Sequence, residues 1–235
     1  MADTAPATCD LFPGGTLESR YTRLPEVFYT RLGPELSEAD PIVIHVNGDA
    51  LPEIGLEADA ADSDELKRVL AGQAAVSGAE PFAAVYAGHQ FGHFVPQLGD
   101  GRAVTIAEGR SGERPWELQL KGAGQTPYSR FGDGRAVLRS CLREYLCSEH
   151  MHALGIPTTR ALSVIATREG VRRETVEPGA VMSRFAQRHV RFGHFEYFHH
   201  RDMKDEVKAL ANHLLEYHSP NWQTKTIPIA PCSVR

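Results

Sequence analysis

The chain has 235 residues, of which 42% are hydrophobic and 23% are charged, and these values are typical of a soluble globular protein. Lys and Arg total 25 against 30 Asp and Glu, and the net charge of −5 argues against a nucleic-acid-binding protein that depends on overall positive charge. No apolar run approaches the roughly 18 residues that a membrane-spanning helix needs, so neither a nucleic-acid nor a membrane partner is expected.

The first part of the chain contains short predicted elements. Residues 1–15 are rich in Pro, Thr and Gly and are expected to be loose. A β-branched run predicts a strand over 41–46, and the pattern over 62–70 predicts a short helix capped by one of its first two residues. The aromatic and glycine-rich stretch 83–96 predicts a loop with short extended pieces.

A β-hairpin is predicted next, with strands over 103–107 and 116–120 and a turn over 108–112. In the second strand Glu117 and Gln119 alternate with apolar residues. Because successive side chains of a strand point to opposite faces, the two polar side chains are expected on one face of the sheet.

The clearest predicted helix covers 136–154 and ends at the Gly-x-Pro of 155–157. Strands follow over 161–167 and 180–186, and a second amphipathic helix over 202–218. The order strand, strand, long helix, strand, strand, helix predicts an α+β fold and not a regular βαβ alternation. The apolar stripe of the first helix is expected to contain Leu138, Leu142, Tyr145, Leu146 and Leu154.

Charge is distributed unevenly along the chain. Residues 1–120 hold 8 basic and 19 acidic side chains, whereas residues 121–201 hold 13 basic and 7 acidic ones. Twelve of those 13 cations are Arg, which is favoured where phosphate or carboxylate is recognised by two parallel hydrogen bonds. This pattern indicates either a solvated basic face or a site for an anionic ligand such as a nucleotide.

The hexapeptide GDGRAV occurs twice, at 99–104 and at 132–137. Glycines in such turns let the backbone approach a ligand closely and direct N–H groups toward phosphate, so we interpret both copies as anion-facing turns. In the second copy, Asp133 and Gly134 either cap the long helix or help its N-terminus to receive a phosphate. The first copy supplies the candidate contacts Gly99, Gly101 and Arg102.

Three further residues, Lys121, Arg184 and Arg191, are candidates for nucleotide binding, and Glu144 is a candidate for orienting the lysine. Lys121 ends a predicted strand and Glu144 follows 23 residues later in the long helix, as in protein kinases, where a helix Glu orients a strand Lys toward nucleotide phosphates. Arg184 lies in a largely apolar strand and needs a charged partner, which is either a phosphate or a structural carboxylate. Arg191 follows seven residues later.

A metal-dependent hydrolase is a weaker alternative. His89 and His93 have the His-x3-His spacing of a zinc-binding helix. A zinc protease would need Glu at position 90, where this chain has Gln, and Gly92 disfavours a helix. Nothing in the sequence around the four cysteines indicates covalent hydrolase chemistry.

Several long motifs are specific enough to indicate a family. They are YAGHQFGHFVPQLGDGRA (86–103), WELQLKGAGQTPYSRFGDGRAVLRSCLREYL (116–146), ALGIPTTRALSVI (153–165), VMSRFA (181–186), RFGHFE (191–196) and the segment to HSPNW (218–222). Together they resemble the SelO/YdiU family of protein nucleotidyltransferases, which have a protein-kinase-like fold and are also called pseudokinases. The resemblance covers roughly residues 10–222.

The resemblance implies an architecture. Residues 16–195 are expected to form a kinase-like amino lobe, an antiparallel sheet with a long helix comparable to the kinase C helix. Residues 196–235 are expected to hold the first helix of an incomplete carboxy lobe, followed from about residue 223 by a tail that does not follow the family pattern.

The resemblance also implies an activity. Members bind ATP in a flipped orientation and transfer AMP to Ser, Thr or Tyr hydroxyls of protein substrates, and some use UTP, with Mg²⁺ or Mn²⁺. Glu144 is expected to orient Lys121. The nucleotide-binding residues carried over are Gly99, Gly101, Arg102, Lys121, Asp133, Gly134, Arg184 and Arg191.

The family's catalytic base and metal-binding residues belong to later segments that this sequence does not contain. We therefore expect no catalytic and no metal-binding residue here, and an impaired adenylyltransferase. The alternative is an inactive nucleotide-binding or interaction fragment. Family members are cytoplasmic in bacteria and mitochondrial in many eukaryotes. Since the N-terminus shows neither a presequence nor a signal peptide, we expect a cytoplasmic protein.

Overall fold

The computed structural model describes residues 7–12, 16–35 and 40–218. The helices are α1 (Asp64–Leu70), α2 (Leu138–Ala153), α3 (Phe192–His199) and α4 (Lys204–His218), with short 3-10 helices at Tyr21–Arg23, Glu26–Phe28, Gly48–Ile54 and Ala58–Asp62. The strands are β1 (Thr8–Cys9), β2 (Tyr29–Arg31), β3 (Ile42–Val46), β4 (Ala75–Val76), β5 (Phe82–Ala84), β6 (Gly88–Gln90), β7 (His93–Val95), β8 (Ala103–Ser111), β9 (Arg114–Lys121), β10 (Ala136–Val137), β11 (Arg160–Arg172) and β12 (Val176–Ala186).

Eight of these strands form one antiparallel sheet in the order β2-β5-β8-β9-β12-β11-β3, with β10 also paired to β12. Two small sheets lie apart from it: β6 pairs with β7, and β1 with β4. The large antiparallel sheet and the helices confirm the predicted α+β class. The finer assignment to a kinase-like amino lobe stays a prediction.

Both faces of the central strands are buried. Trp116, Leu118 and Leu120 of β9 face a core that also contains residues of α1 and of the 3-10 helix Gly48–Ile54. Glu117 and Gln119 alternate with them and are also buried. Because this strand is covered on both faces, its polar side chains are buried as well, and each of them needs a hydrogen-bonding partner.

Helix α2 packs against β11 and β12, where Cys141 contributes to a small apolar core with Leu138, Leu142 and Tyr145 at its edge. The predicted apolar stripe is wrong at its other two members, because Leu146 and Leu154 are 66% and 61% exposed. The helix also begins later than predicted. Residues 136–137 pair with Gly179 and Ala180 of β12, so their backbone is extended.

The predicted hairpin turn over 108–112 is wrong, because β8 continues to Ser111 and the turn narrows to residues 112–113. Glu108, the first residue of the predicted turn, is buried directly opposite Glu117. The second hairpin is also longer than predicted, since β11 and β12 extend to Arg172 and from Val176.

The amino-terminal residues that the structure describes differ from the loose segment expected over 1–15. Thr8–Cys9 pair with Ala75–Val76, and Phe12 is buried with its ring 5.0 Å from that of Trp116. Residues 1–6 and 13–15 lie outside the described residues.

Helix α3 was not predicted, and the expected lobe boundary between 195 and 196 falls inside it. Its Phe198 packs 4.4 Å from Phe28, between ring centres, in a core that includes Leu210 of α4. The division into lobes stays a prediction, and the tail from residue 223 lies outside the described residues.

Candidate functional site

One large cavity, of about 730 Å³, lies where the two GDGRAV copies meet the ends of β9 and β12. The structure brings all of the predicted nucleotide-binding residues to its wall, although they come from positions spread over more than ninety residues. They are Gly99, Gly101, Arg102, Lys121, Asp133, Gly134, Arg184 and Arg191.

A single carboxylate organises two of the cations. Lys121 Nζ donates a hydrogen bond to Glu144 Oε2, and Arg184 Nη1 donates to Glu144 Oε1 at 2.6 Å. Arg184 Nε and Nη2 also donate to Gln119 Oε1, at 3.2 and 3.0 Å. Of the two partners considered for Arg184, the structure therefore shows the structural carboxylate, and the guanidinium is held in one orientation at the cavity wall.

The charges of this cluster depend on one another. Burial lowers the pKa of Lys121, Arg184 acts in the same direction, and Glu144 opposes both. Burial alone would raise the pKa of Glu144, but Arg184 and Lys121 hold it below its ordinary value. Glu144 is thus ionised at neutral pH, and with all three groups charged the cluster has one excess positive charge for an anionic ligand.

Arg191 directly precedes α3 and lines the cavity. Its Nη1 lies 3.9 Å from Asp100 Oδ1, and its guanidinium lies over the Tyr86 ring at 5.2 Å from the ring centre. Asp100 is buried and accepts a hydrogen bond from Ala84 N at 3.1 Å. Burial raises the pKa of Asp100, whereas Arg191 lowers it. The Arg191 side chain is 42% exposed and can contact a ligand.

The first glycine turn leaves no room for side chains. Gly99 has a φ of +66°, and a Cβ there would lie 2.4 Å from the Tyr128 ring. Thr126 Oγ1 donates to the Asp100 carbonyl at 2.8 Å and ties this turn to the next loop. Arg102 makes no side-chain hydrogen bond or ion pair with another described residue, so its guanidinium is accessible to a ligand.

Asp133 does not cap the long helix, and that interpretation is wrong. The N-cap position of α2 is Val137, and no side chain caps it. Asp133 instead pairs with Arg173 through bonds of 2.7 and 3.1 Å, and it accepts the Arg135 N–H at 2.9 Å. Strand β10 separates Asp133 from the helix and places it beside the β11–β12 turn.

Comparison with known proteins identifies the family. The model of the family described as protein adenylyltransferase SelO matches residues 14–230. The chain belongs to this family. Relatives named protein nucleotidyltransferase YdiU are 52% identical over 212 residues in Methylorubrum extorquens, 50% over 204 in Bordetella petrii and 47% over 215 in Thiobacillus denitrificans.

These three alignments cover 89%, 87% and 91% of this chain but 41%, 41% and 44% of the relatives. The chain therefore spans about two fifths of the length of the SelO-family proteins it matches. These relatives are named nucleotidyltransferases, and the family is described as an adenylyltransferase. Within the described ranges, no helix is both long and apolar enough to cross a membrane.

Sequence reasoning missed several residues of the cavity wall in this SelO-family chain. Phe91 and Phe131 lie at the cavity and are almost fully exposed. The excess of arginine over 121–201 was the signal for further cations, but only contacts between distant segments select which of them reach the cavity. The additional arginines there are Arg130, Arg135, Arg172 and Arg173.

The described residues do not form a metal site. His89 and His93 lie on the β6–β7 hairpin and not on a helix. In residues 7–12, 16–35 and 40–218, no group of three or more His, Cys, Asp and Glu side chains is placed to hold a metal ion. The cavity's carboxylates, Asp100 and Asp133, already pair with arginines. The structure gives the hydrolase alternative no support.

Proposed function

We propose that this chain forms the nucleotide-binding part of a protein adenylyltransferase and holds the phosphates of ATP. One observation carries the proposal: Lys121 and Arg184 share Glu144 at the wall of a cavity that Arg191 also reaches. Cations held in fixed orientations by a common carboxylate lose little side-chain freedom when an anion binds, which favours binding of a polyphosphate.

The size of the cavity and the residues at its wall suit such a ligand. Its volume of about 730 Å³ lies within the roughly 300–1,000 Å³ of small-molecule sites. The turn of Gly99 and Gly101 allows close approach of a phosphate to the backbone. Arg102 supplies a further cation without a carboxylate partner among the described residues.

In the proposed reaction, a Ser, Thr or Tyr hydroxyl oxygen of a protein substrate forms a bond to the α-phosphorus of ATP. The bond from that phosphorus to the oxygen of the departing pyrophosphate breaks, and the hydroxyl proton passes to a base. The described residues bind and orient the phosphates. Mg²⁺ or Mn²⁺ supplies charge neutralisation in such reactions, and UTP is an alternative donor; the metal ligands are expected outside the described residues.

We expect the chain on its own to bind ATP and to transfer AMP slowly. Asp100 and Asp133, the carboxylates among the described cavity residues, are held by Arg191 and Arg173 and are poorly placed to accept a proton. A nucleotide-binding fragment without activity is the alternative. Incubation with α-labelled ATP and Mg²⁺ or Mn²⁺ separates the two, since slow labelling of protein would show transfer by this chain and no labelling would show a binding fragment. Robust labelling would contradict the expected impairment.

Binding is tested by calorimetric titration of the purified chain with ATP. We expect Lys121→Ala and Arg184→Ala each to weaken binding by about tenfold or more, because each removes a charge-assisted hydrogen bond. Arg139→Ala is the matched control, since Arg139 is an exposed arginine that pairs with Glu177 and is not part of the cavity lining. Equal affinities in all four proteins would contradict the proposal.

A further inference from the structure

A group of buried ionisable residues lies behind the cavity wall and takes no part in the proposed phosphate contacts. Its members are Arg20, Glu108, Glu117 and His189, each less than about a tenth exposed. Burying a charge is costly unless it is paired and hydrogen-bonded. Two carboxylates in one buried group therefore need specific partners, and those partners indicate what each carboxylate does.

Glu108 and Glu117 are directly opposite each other in the β8–β9 register, but they hold different segments. Glu108 accepts the backbone N–H groups of Arg20 and Tyr21, at 3.1 and 3.2 Å. Glu117 Oε2 accepts the backbone N–H of His189 at 2.7 Å and lies 3.1 Å from His189 Nδ1. One carboxylate thus secures the amino-terminal segment, and the other secures the connection between β12 and α3.

That connection delivers Arg191 to the cavity. It leaves the sheet after Ala186, and Arg191 follows His189 by two residues at the start of α3. The backbone N–H of Arg191 donates to His194 Nδ1 at 3.0 Å, which fixes the helix end of the connection. The Glu117 bonds fix its other end, and burial lowers the pKa of His189, so this imidazole is neutral.

We propose that Glu117 is a positioning residue, whose carboxylate holds His189 and thereby places the Arg191 guanidinium where it meets the phosphates of the nucleotide. This inference rests on the proposed function for its ligand. A purely structural role for Glu117 would lower the stability of the fold without a specific effect on phosphate binding.

The test compares three variants of the full chain. Glu117→Leu removes both acceptor oxygens at similar volume. Glu117→Gln keeps one oxygen that can accept the His189 N–H. Glu108→Leu is the matched control, because it removes the opposing buried carboxyl, which accepts from Arg20 and Tyr21 whereas Glu117 accepts from His189. Urea unfolding is measured on each variant, so that a general loss of stability is distinguished from a local effect.

Binding of ATP and of AMP is then measured, with and without Arg191→Ala. We expect Glu117→Leu to weaken ATP binding about fivefold to tenfold, AMP binding less, and Glu117→Gln to restore most of the loss. In the Glu117→Leu/Arg191→Ala double variant we expect the affinity of Arg191→Ala alone, since both changes act on one group. Independent, multiplying effects of the two changes, or an equal loss in Glu108→Leu, would overturn the inference.

Failure of the wild-type chain to bind ATP would refute the proposed function. Hydrogen exchange would still test whether Glu117 holds the 187–191 connection. We expect the amides of residues 189–191 to exchange at least about tenfold faster in Glu117→Leu than in wild type, and unchanged in Glu108→Leu. Unchanged exchange in Glu117→Leu would show that the carboxylate does not hold this connection.

Discussion

The two copies of GDGRAV have identical sequences and different structures. In the first copy Asp100 is buried beside Arg191, whereas in the second Asp133 is exposed and pairs with Arg173 at a hairpin turn. The left-handed residue also differs, since it is the first glycine of one copy, Gly99, and the second glycine of the other, Gly134. Both turns nevertheless face one cavity.

This difference shows that one short motif can adopt more than one structure, and that the residues packed around it determine which structure forms. Asp100 is tied to the next loop through its backbone carbonyl, which accepts from Thr126 Oγ1, and burial raises the pKa of its carboxyl. Asp133 lies at the surface, where its hydrogen bonds with Arg173 are the main reason that its pKa is lowered. The same side chain is therefore part of the interior in one copy and of the surface in the other.

We expect the largest difference in the loss of stability when a glycine of the turn is replaced by alanine. A Cβ at Gly134 would lie 2.0 Å from the Gly124 carbonyl oxygen, on a residue with a φ of +67°. Gly132 has no left-handed backbone, and a Cβ there would lie 3.0 Å from Ser129 O. We expect Gly134→Ala to lower the free energy of unfolding by about 3 kcal/mol and Gly132→Ala by about 1 kcal/mol or less, measured by urea unfolding. Equal losses would show that the turn relaxes.

The arginines of the two copies are expected to differ in ligand binding. Arg102 lacks a carboxylate partner among the described residues, whereas Arg135 lies near Glu35 and Glu169, at 3.3 and 3.6 Å. We expect Arg102→Ala to weaken ATP binding about tenfold and Arg135→Ala about threefold or less, because ion pairs already occupy that guanidinium. Calorimetric titration checks this order, and a reversed order would place the phosphates nearer the second copy.

The smallest expected effect concerns the pH dependence of folding stability, to which the two aspartates contribute with opposite signs. Asp133 has a lowered pKa, so its contribution is present above the ordinary value near 3.8 and is lost as the pH falls through its folded-state pKa. Asp100 has a raised pKa, so the folded state binds the proton more tightly than the unfolded state does. Its contribution to stability therefore decreases as the pH rises from the ordinary value near 3.8 through the raised pKa of the folded state.

Urea unfolding of wild type, Asp100→Asn and Asp133→Asn between about pH 3 and pH 7 measures these contributions. Relative to wild type, we expect Asp100→Asn to gain stability as the pH rises, on the order of 1 kcal/mol. Asp133→Asn should lose about 0.5 kcal/mol or less over the same range, because its ion pair is exposed to solvent. Parallel pH profiles would contradict the contrast between the copies.

Local patterns predicted the fold wherever a single segment contained the information. The alternation of β9 placed Glu117 and Gln119 on one face, and Ser63 caps α1 by accepting the Leu66 N–H at 3.3 Å. The patterns failed where another segment decides the outcome. Glu108 looks like a turn residue until Glu117, Arg20 and the backbone around them bury it.

The composition and motifs of this chain by themselves determined an α+β fold, an arginine-rich half and a set of candidate phosphate contacts, because these depend on residue type and local spacing. Only the tertiary structure decided that Glu144 serves both Lys121 and Arg184, and that Asp100 and Asp133 belong to different environments. Burial and partner choice are properties of surfaces brought together from distant parts of the chain, and no local pattern contains them.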